Sequence, residues 1–128
     1  MNRIVLDSSA LLAVLNGEPD AEKLTPELVS IATCSTVNLA EVHSKLVSRG
    51  VTESDAWSAT SYGVEEPEPF TVEHARIAGR LTSETRAFGL SLGDRACLAL
   101  GIYLGAPVYT AEKSWKKLSL PISVHVIR

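Results

Sequence analysis

Strand-like runs alternate with helix-like segments along the whole chain, and this alternation restricts the fold more than any other feature. Short β-rich runs cover residues 3–6, 32–37, 107–110 and 122–127. Helical spacing and capping residues predict helices over about 10–15, 25–29, 38–49, 52–62, 72–88, 92–104 and 113–118. Strands that alternate with helices favour an α/β fold with a largely parallel sheet.

Composition is consistent with one folded domain spanning residues 1–128, since 45% of the residues are apolar and 21% are charged. Cys34 and Cys97 lack C-x-x-C spacing, so we expect reduced core cysteines rather than a disulfide or zinc site. Trp57 is expected to anchor its helix in the core, and both Trp57 and Trp115 are expected to be core or interface residues rather than base-stacking platforms. No secretory signal or membrane-spanning run is evident, which predicts a cytoplasmic protein. The net charge of -3 does not by itself indicate a polyanion partner.

Acidic residues follow the strands at the positions where an α/β sheet binds ligands. In an open parallel sheet, the binding crevice lies beyond the carboxyl ends of the strands. Asp7 follows the first strand, Glu41 opens the helix after the second, and Glu112 comes two residues after Thr110. Asp94 opens a helix that follows another helix, so only tertiary packing would bring it to the same edge.

Each acid also has a purely structural explanation. Ser91-x-x-Asp94 and Asn38-x-x-Glu41 both have the spacing of a capping box, in which an acid reaches back to the first amide of a helix. Asp7 could simply open a helix, and Glu112 could likewise open the helix predicted over residues 113–118. Any one of these acids, taken alone, favours the structural explanation.

Taken together, the acids favour a metal site. Carboxylates at close range repel one another, and a divalent cation removes that conflict. Mg²⁺ or Mn²⁺ takes oxygen ligands and promotes hydrolysis of phosphate esters. His43, His74 and His125 belong to no recognisable motif, so nucleophilic schemes that need a histidine base lack support.

Four segments together resemble the PIN domain, and more narrowly the VapC-type toxin nucleases of bacterial toxin-antitoxin pairs. They are Asp7–Ala10, Asn38–Val42, Leu92–Arg95 and Thr110–Trp115. The likeness extends from Ile4 to about Val126 and depends on the order and spacing of the segments. It implies a PIN-like three-layer α/β/α sandwich with a mainly parallel central sheet.

The resemblance also implies roles for individual residues. Asp7, Glu41 and Asp94 would be the catalytic, metal-binding acids, with Ser9 and Thr110 in support. Glu112 would occupy the position of a fourth catalytic and metal-binding acid, which is normally Asp in the family. The extra methylene adds about 1.5 Å of reach, and Glu112 would bind metal directly or through water.

The resemblance implies an activity and partners as well. The family is known for Mg²⁺- or Mn²⁺-dependent endoribonucleases that act on RNA. The toxins usually form homodimers and are inhibited by a small antitoxin (VapB-like) whose tail covers the acidic pocket. We therefore expect an RNA substrate, an antitoxin partner and a homodimer.

Two groups of basic residues are candidates for contact with the RNA backbone. The first group is the lysine cluster beside Glu112, which consists of Lys113, Lys116 and Lys117. The second group is Lys45 and Arg49, which continue the helix that starts near Glu41. Ordinary solvated surface explains the lysine cluster equally well, and it is the favoured explanation for Lys45 and Arg49. Arg95, next to Asp94, is expected to pair with an acid at the surface.

Other functions remain to be weighed against a nuclease. A phosphoacceptor receiver would need paired acids after the first strand and a separate acceptor Asp, and an aspartyl phosphatase would need an Asp where this chain has Ser9. The sequence argues against both. A non-catalytic PIN-like scaffold that binds RNA or protein remains open, because Glu112 departs from the family pattern.

Overall fold

Four short strands form one parallel sheet in the computed structural model, which describes residues 2–128. They are β1 (Ile4–Leu6), β2 (Ala32–Thr33), β3 (Val108–Thr110) and β4 (Val124–Val126), in the order β2-β1-β3-β4. Val5 of β1 lies opposite Thr33 on one side and Val108 on the other. The predicted α/β fold with a parallel sheet is confirmed.

Helices connect the strands and cover the sheet. They are α1 (Ser8–Leu15), α2 (Pro26–Ser30), α3 (Thr36–Ser48), α4 (Glu53–Gly63), α5 (Val72–Arg80), α6 (Thr82–Thr85) and α7 (Leu92–Leu104). Short 3₁₀ turns cover Pro19–Lys23, Arg86–Phe88 and Lys113–Lys117. None of the helices within residues 2–128 has both the length and the apolar character needed to cross a membrane.

Side chains of β1 alternate between two hydrophobic cores, one on each face of the sheet. Ile4 and Leu6 pack with residues of α1, α3 and α4, whereas Val5 packs with residues of α7 and with Val108 and Trp115. This alternation follows from the two-residue period of a strand. The sheet is therefore the middle layer of an α/β/α sandwich.

The two tryptophans differ in burial. Trp115 is 2% exposed and lies in the core, as predicted, but Trp57 is 46% exposed, and its assignment as a core residue was wrong. Ala56 and Thr60 occupy the buried positions of α4 instead. The Trp57 ring packs edge-on against His43 of α3, with 5.2 Å between ring centroids.

The predicted helix over residues 72–88 is divided into shorter pieces. Helix α5 ends at Arg80, where Nη1 of Arg95 donates hydrogen bonds to the carbonyl oxygen of Ala78 (2.9 Å) and to the hydroxyl of Thr82 (3.1 Å). This cross-link takes up a carbonyl at the end of the helix. Arg95 therefore bonds to α5 and α6, and the expected pairing with a surface acid was wrong.

The strand predicted over residues 32–37 is shorter, because the next helix begins early. Strand β2 ends at Thr33, and Ser35 caps α3 by accepting a hydrogen bond from the Val37 amide at 3.2 Å. Asn38 and Glu41 consequently lie inside α3 and do not form the capping box that their spacing suggested. Cys34 and Cys97 are free and buried, as expected.

Candidate active site

Asp7 lies at the junction between β1 and α1, at the carboxyl edge of the sheet. It caps α1, with Oδ1 accepting a hydrogen bond from the Ala10 amide (2.9 Å) and another from the Ser9 hydroxyl (2.7 Å). Its Oδ2 accepts from the hydroxyl of Thr110 at the end of β3 (2.9 Å). Since β1 and β3 are neighbours in the sheet, Asp7 is held by groups from both strand ends.

The protonation of Asp7 reflects burial and a neighbouring charge. Burial raises the pKa of Asp7 from 3.8 to about 6, although the hydrogen bonds from Ser9, Ala10 and Thr110 oppose the shift. The charge of Asp94 raises this pKa further. Burial is therefore the main reason that Asp7 holds its proton more tightly than a free aspartate, and the charge of Asp94 is the smallest contribution.

Glu41 bridges the surroundings of the other two acids. Its Oε1 accepts hydrogen bonds from the Ser8 hydroxyl (2.6 Å) and from Nδ2 of Asn38 (3.0 Å). The carboxylate lies directly against Gly93, where an added Cβ would come within 2.2 Å of Oε2. Ser8 is adjacent to Asp7 in sequence and Gly93 is adjacent to Asp94, so Glu41 lies between them.

Asp94 opens α7 and forms the predicted capping box. Its Oδ2 accepts from the Ser91 amide (2.9 Å), and its own amide donates to the Ser91 hydroxyl (3.2 Å). The charges of Asp7, Asp94 and Glu41 all contribute to raising the pKa of the buried Cys97 thiol, after the larger effect of burial. Glu41 thus links the residues next to Asp7 and Asp94 in sequence, Ser8 and Gly93, although Asp94 belongs to a helix that does not follow a strand.

Glu112 is attached to this region through its backbone. Its amide donates to the Thr110 hydroxyl at 3.0 Å, and the Ala111 amide donates to the Ser9 hydroxyl at 2.9 Å. The Glu112 side chain is exposed and makes no hydrogen bond or ion pair within residues 2–128. The predicted fourth acid therefore lies at the rim, and its side chain is not brought into contact with the other three.

Sequence reasoning missed the contributions of three residues that shape this site. They are Ser8, Gly93 and Asn38, whose side chain lies in the interior. The available signal was the position of Asn38 on the otherwise apolar, buried face of α3, with Leu39, Val42 and Leu46. A polar side chain on such a face must find partners.

The basic candidates are all exposed. Lys113, Lys116 and Lys117 belong to the 3₁₀ turn after β3, Lys45 lies on α3, and Arg49 follows the end of α3. A shallow, open depression on the surface of α3 is lined by Val37, Ala40, Glu41, Ser44 and Lys45.

The donor set matches the preferences of a hard divalent cation, since the converging side chains offer carboxylate and hydroxyl oxygens. Buried Asp7 beside the charge of Asp94 is a conflict that a cation relieves. Within the part of the chain that is described, no three His, Cys, Asp or Glu side chains already form a metal cage. The acids would therefore have to rearrange in order to share one cation.

The fold is that of one protein family. A model of the PIN domain matches residues 4–120, and the chain belongs to the PIN domain family. Among curated relatives it is similar to "Ribonuclease VapC" from Mycolicibacterium smegmatis, with 32% identity over 113 residues that cover 82% of this chain and 88% of the relative.

Solved structures of VapC-type proteins share the fold. VapBC2 from Rickettsia felis, bound to a DNA fragment from its promoter, aligns with a TM-score of 0.74 at 20% identity, covering 94% of this chain and 96% of the other. VapC20 from Mycobacterium tuberculosis, described as a toxin that cleaves the sarcin-ricin loop, aligns with a TM-score of 0.73 at 19% identity, covering 91% and 96%. These likenesses confirm the predicted PIN-like architecture.

Proposed function

We propose that this chain is a Mg²⁺- or Mn²⁺-dependent endoribonuclease that hydrolyses phosphodiester bonds in RNA and acts as the toxin of a type II toxin-antitoxin system. The observation that carries the proposal is the position of buried Asp7 at the carboxyl edge of a PIN-domain sheet, with Glu41 bonded to Ser8 and packed against Gly93, the residue before Asp94. Similarity to a relative named Ribonuclease VapC supports the activity, and similarity to VapBC complexes supports the biological role.

Asp7, Glu41 and Asp94 would hold the cation, with Glu112 contributing from the rim, directly or through water. The chemistry that such a cation supplies when bound is activation of water and neutralisation of charge on a phosphodiester. With a pKa of about 6, Asp7 is mostly ionised at neutral pH and is available as a ligand. Oε2 of Glu41 and Oδ1 of Asp94 accept no hydrogen bond within residues 2–128, which leaves both oxygens free to coordinate.

Ser9 and Thr110 act by orienting Asp7. Their hydroxyls donate to different oxygens of the Asp7 carboxylate, and each hydroxyl in turn accepts a backbone amide from the segment after β3. The carboxylate is therefore fixed by partners that are themselves fixed. Such support is what a metal ligand needs to hold its geometry.

RNA would approach over the basic surface beside the acids. The shallow surface depression on α3 includes both Glu41 and Lys45, and Arg49 follows the end of this helix. The lysines at 113, 116 and 117 follow Glu112, after β3. Both groups would bind phosphates without reading bases, which suits positioning of a backbone.

The proposed partners follow from the VapBC-type relatives. We infer a small VapB-like antitoxin that inhibits the site, and a homodimer that acts in the cytoplasm. Light scattering of the purified chain, alone and with the product of a neighbouring gene, tests both assemblies. Growth arrest on expression, relieved by that neighbour, tests the toxin role; harmless expression of an active nuclease would contradict it.

The activity is tested by incubating the purified protein with total RNA and Mn²⁺ or Mg²⁺. We expect cleavage that a chelator abolishes and that Asp7→Asn and Asp94→Asn each remove. Cleavage that survives these substitutions would show that the site has been assigned wrongly.

A non-catalytic PIN-like scaffold is the second candidate. Two observations favour it. The Glu112 side chain is exposed and lies apart from the other acids, and one carboxylate oxygen of Asp94 already accepts a hydrogen bond from the Ser91 amide. RNA binding without cleavage in either metal, across total RNA and ribosomal RNA, would support the scaffold.

A further inference from the structure

Asn38 occupies a position on α3 that packing alone would assign to an apolar residue. It is 1% exposed, and its neighbours on the same face, Leu39, Val42 and Leu46, are all buried hydrophobic residues. A buried carboxamide is unfavourable unless its polar atoms are satisfied. The contacts of Asn38 therefore indicate why an amide is present.

The Asn38 amide group connects three helices at the candidate site. Its Nδ2 lies 3.0 Å from Oε1 of Glu41, 3.0 Å from the carbonyl oxygen of Gly93 and 3.3 Å from the Ser8 hydroxyl. Ser8 begins α1 and Gly93 lies in the first turn of α7, so one amide nitrogen touches the amino-terminal turns of both helices while belonging to α3.

The other end of the amide is unsatisfied. Oδ1 of Asn38 is buried without a hydrogen-bond partner among residues 2–128. Rotating the amide by half a turn would not help, because Oδ1 would then face the carboxylate of Glu41 and the carbonyl of Gly93, which are both acceptors. The side-chain amide of Asn38 therefore donates to Glu41 and Gly93 at the cost of leaving its own oxygen without a hydrogen bond.

We propose that Asn38 is a positioning residue that restrains the Glu41 carboxylate over Gly93, beside Asp94, so that one of its oxygens is available to the cation. This inference rests on the proposed function. Asn38 and Ser8 both donate to Oε1, which leaves Oε2 without a protein donor in the described chain and available to a cation. Without these donors, a glutamate side chain would have to lose rotamer freedom when the cation binds.

The experiment is a double-mutant cycle between Asn38→Ala and Glu41→Gln. Mn²⁺ binding is measured by electron paramagnetic resonance without RNA, and kcat and KM are measured with a cleavable RNA. We expect Asn38→Ala to weaken Mn²⁺ binding by about tenfold to a hundredfold and to lower kcat with KM for RNA unchanged. In the Glu41→Gln background, the same substitution should change Mn²⁺ affinity by less than about threefold, because the carboxylate that it orients is already missing.

Thr60→Val is the matched structural control. It removes another buried side-chain hydrogen bond, from the Thr60 hydroxyl to the Ala56 carbonyl within α4, and should leave Mn²⁺ affinity unchanged. Ser8→Ala, at a half-buried position, tests the second donor to Oε1 if Asn38→Ala does not fold. It should show the same direction of effect and the same coupling to Glu41→Gln.

Two results would overturn the inference. In the first, Asn38→Ala behaves like Thr60→Val in Mn²⁺ binding. In the second, its effects add fully to those of Glu41→Gln. A wild-type protein that neither binds Mn²⁺ nor cleaves RNA would contradict the proposed function as well, whereas a wild-type protein that does both confines the failure to Asn38.

Discussion

The inner and outer parts of the candidate site are built differently. Asp7 is 3% exposed and its two carboxylate oxygens accept three hydrogen bonds, whereas the Glu112 side chain is exposed and makes no hydrogen bond or ion pair in residues 2–128. Glu41 belongs with the inner part, since Ser8 and Asn38 fix its carboxylate. The lysines that follow Glu112 belong with the outer part.

This difference indicates a division of labour. Inner carboxylates whose rotamers are restrained by hydrogen bonds suit the precise placement that catalysis demands. Exposed side chains at the rim suit a substrate whose backbone can bind in more than one way. Substitutions at the inner part should therefore change the chemical step, and substitutions at the rim should change binding.

The largest effect is expected for Asp7→Asn. It should lower kcat by about a hundredfold to a thousandfold, the size of effect seen when a key electrostatic group is removed. In metal-free protein at pH 7 it should increase the free energy of unfolding by on the order of 2 kcal/mol, because it removes a buried charge whose pKa is raised to about 6. Urea unfolding in the presence of a chelator measures this. Loss of activity is expected, so it is an accompanying loss of stability that would contradict the assignment of Asp7 as a buried charge.

The pH dependence has a definite sign. Because the pKa of Asp7 is raised from 3.8 to about 6 in the folded state, the folded protein binds more protons than the unfolded chain between these values. The contribution of Asp7 to stability is therefore lost as pH rises from about 4 to about 6. Subtracting the unfolding free energies of Asp7→Asn from those of the metal-free wild type, pH by pH, should reveal this loss.

The next effect in size is expected for Gly93→Ala. The added Cβ would lie 2.2 Å from Oε2 of Glu41, and the displaced carboxylate should reduce kcat by roughly a hundredfold. Gly79→Ala is the control, since nothing lies within 4 Å of the Cβ that it would add on α5. That control should keep full activity and gain about 0.5–1 kcal/mol of stability. Equal activity of the two variants would show that Glu41 tolerates displacement.

A smaller effect is expected when the three lysines of the rim, Lys113, Lys116 and Lys117, are all replaced by alanine. KM for RNA should rise by about three- to tenfold with kcat unchanged, and the slope of log affinity for RNA against log salt should become shallower by about 0.7 for each phosphate that is no longer neutralised. Lys23→Ala, on the turn between α1 and α2, is the control. A fall in kcat with unchanged KM would instead show that the lysines act in the chemical step and not in RNA binding.

The smallest effect is expected for Glu112→Gln. Because the Glu112 side chain has no fixed partner in the described residues, its replacement should lower kcat by less than about tenfold at saturating Mn²⁺. Single-turnover cleavage at several Mn²⁺ concentrations measures this. A decrease as large as that of Asp7→Asn would instead place Glu112 among the inner ligands.

The sequence predicted the local structure around Asp7 and Asp94 where local rules apply. Asp7 directly follows an apolar strand, and the Ser91-x-x-Asp94 spacing gave the correct capping box. The approach of Asp94 to the other acids was visible only through resemblance to a family, because packing of α7 produces it. Glu41 lies in α3 as predicted, but the early cap at Ser35 changed the role of Asn38.

The failures have tertiary causes. The helix expected over residues 72–88 is interrupted where Arg95, from a different helix, takes up the Ala78 carbonyl. Trp57 lies at the surface because the buried face of α4 is formed by the smaller residues Ala56 and Thr60. Neither the partner of Arg95 nor the orientation of α4 is encoded in local spacing, so periodicity could not reveal them.

The buried Cys97 gives this molecule an internal reporter. Its thiol lies among apolar side chains, and the nearby acids further disfavour the reactive thiolate. An alkylating reagent can therefore modify Cys97 only in molecules that have transiently opened. The labelling rate of the native protein thus follows how often the structure opens, and any ligand that ties the acidic edge together would slow it.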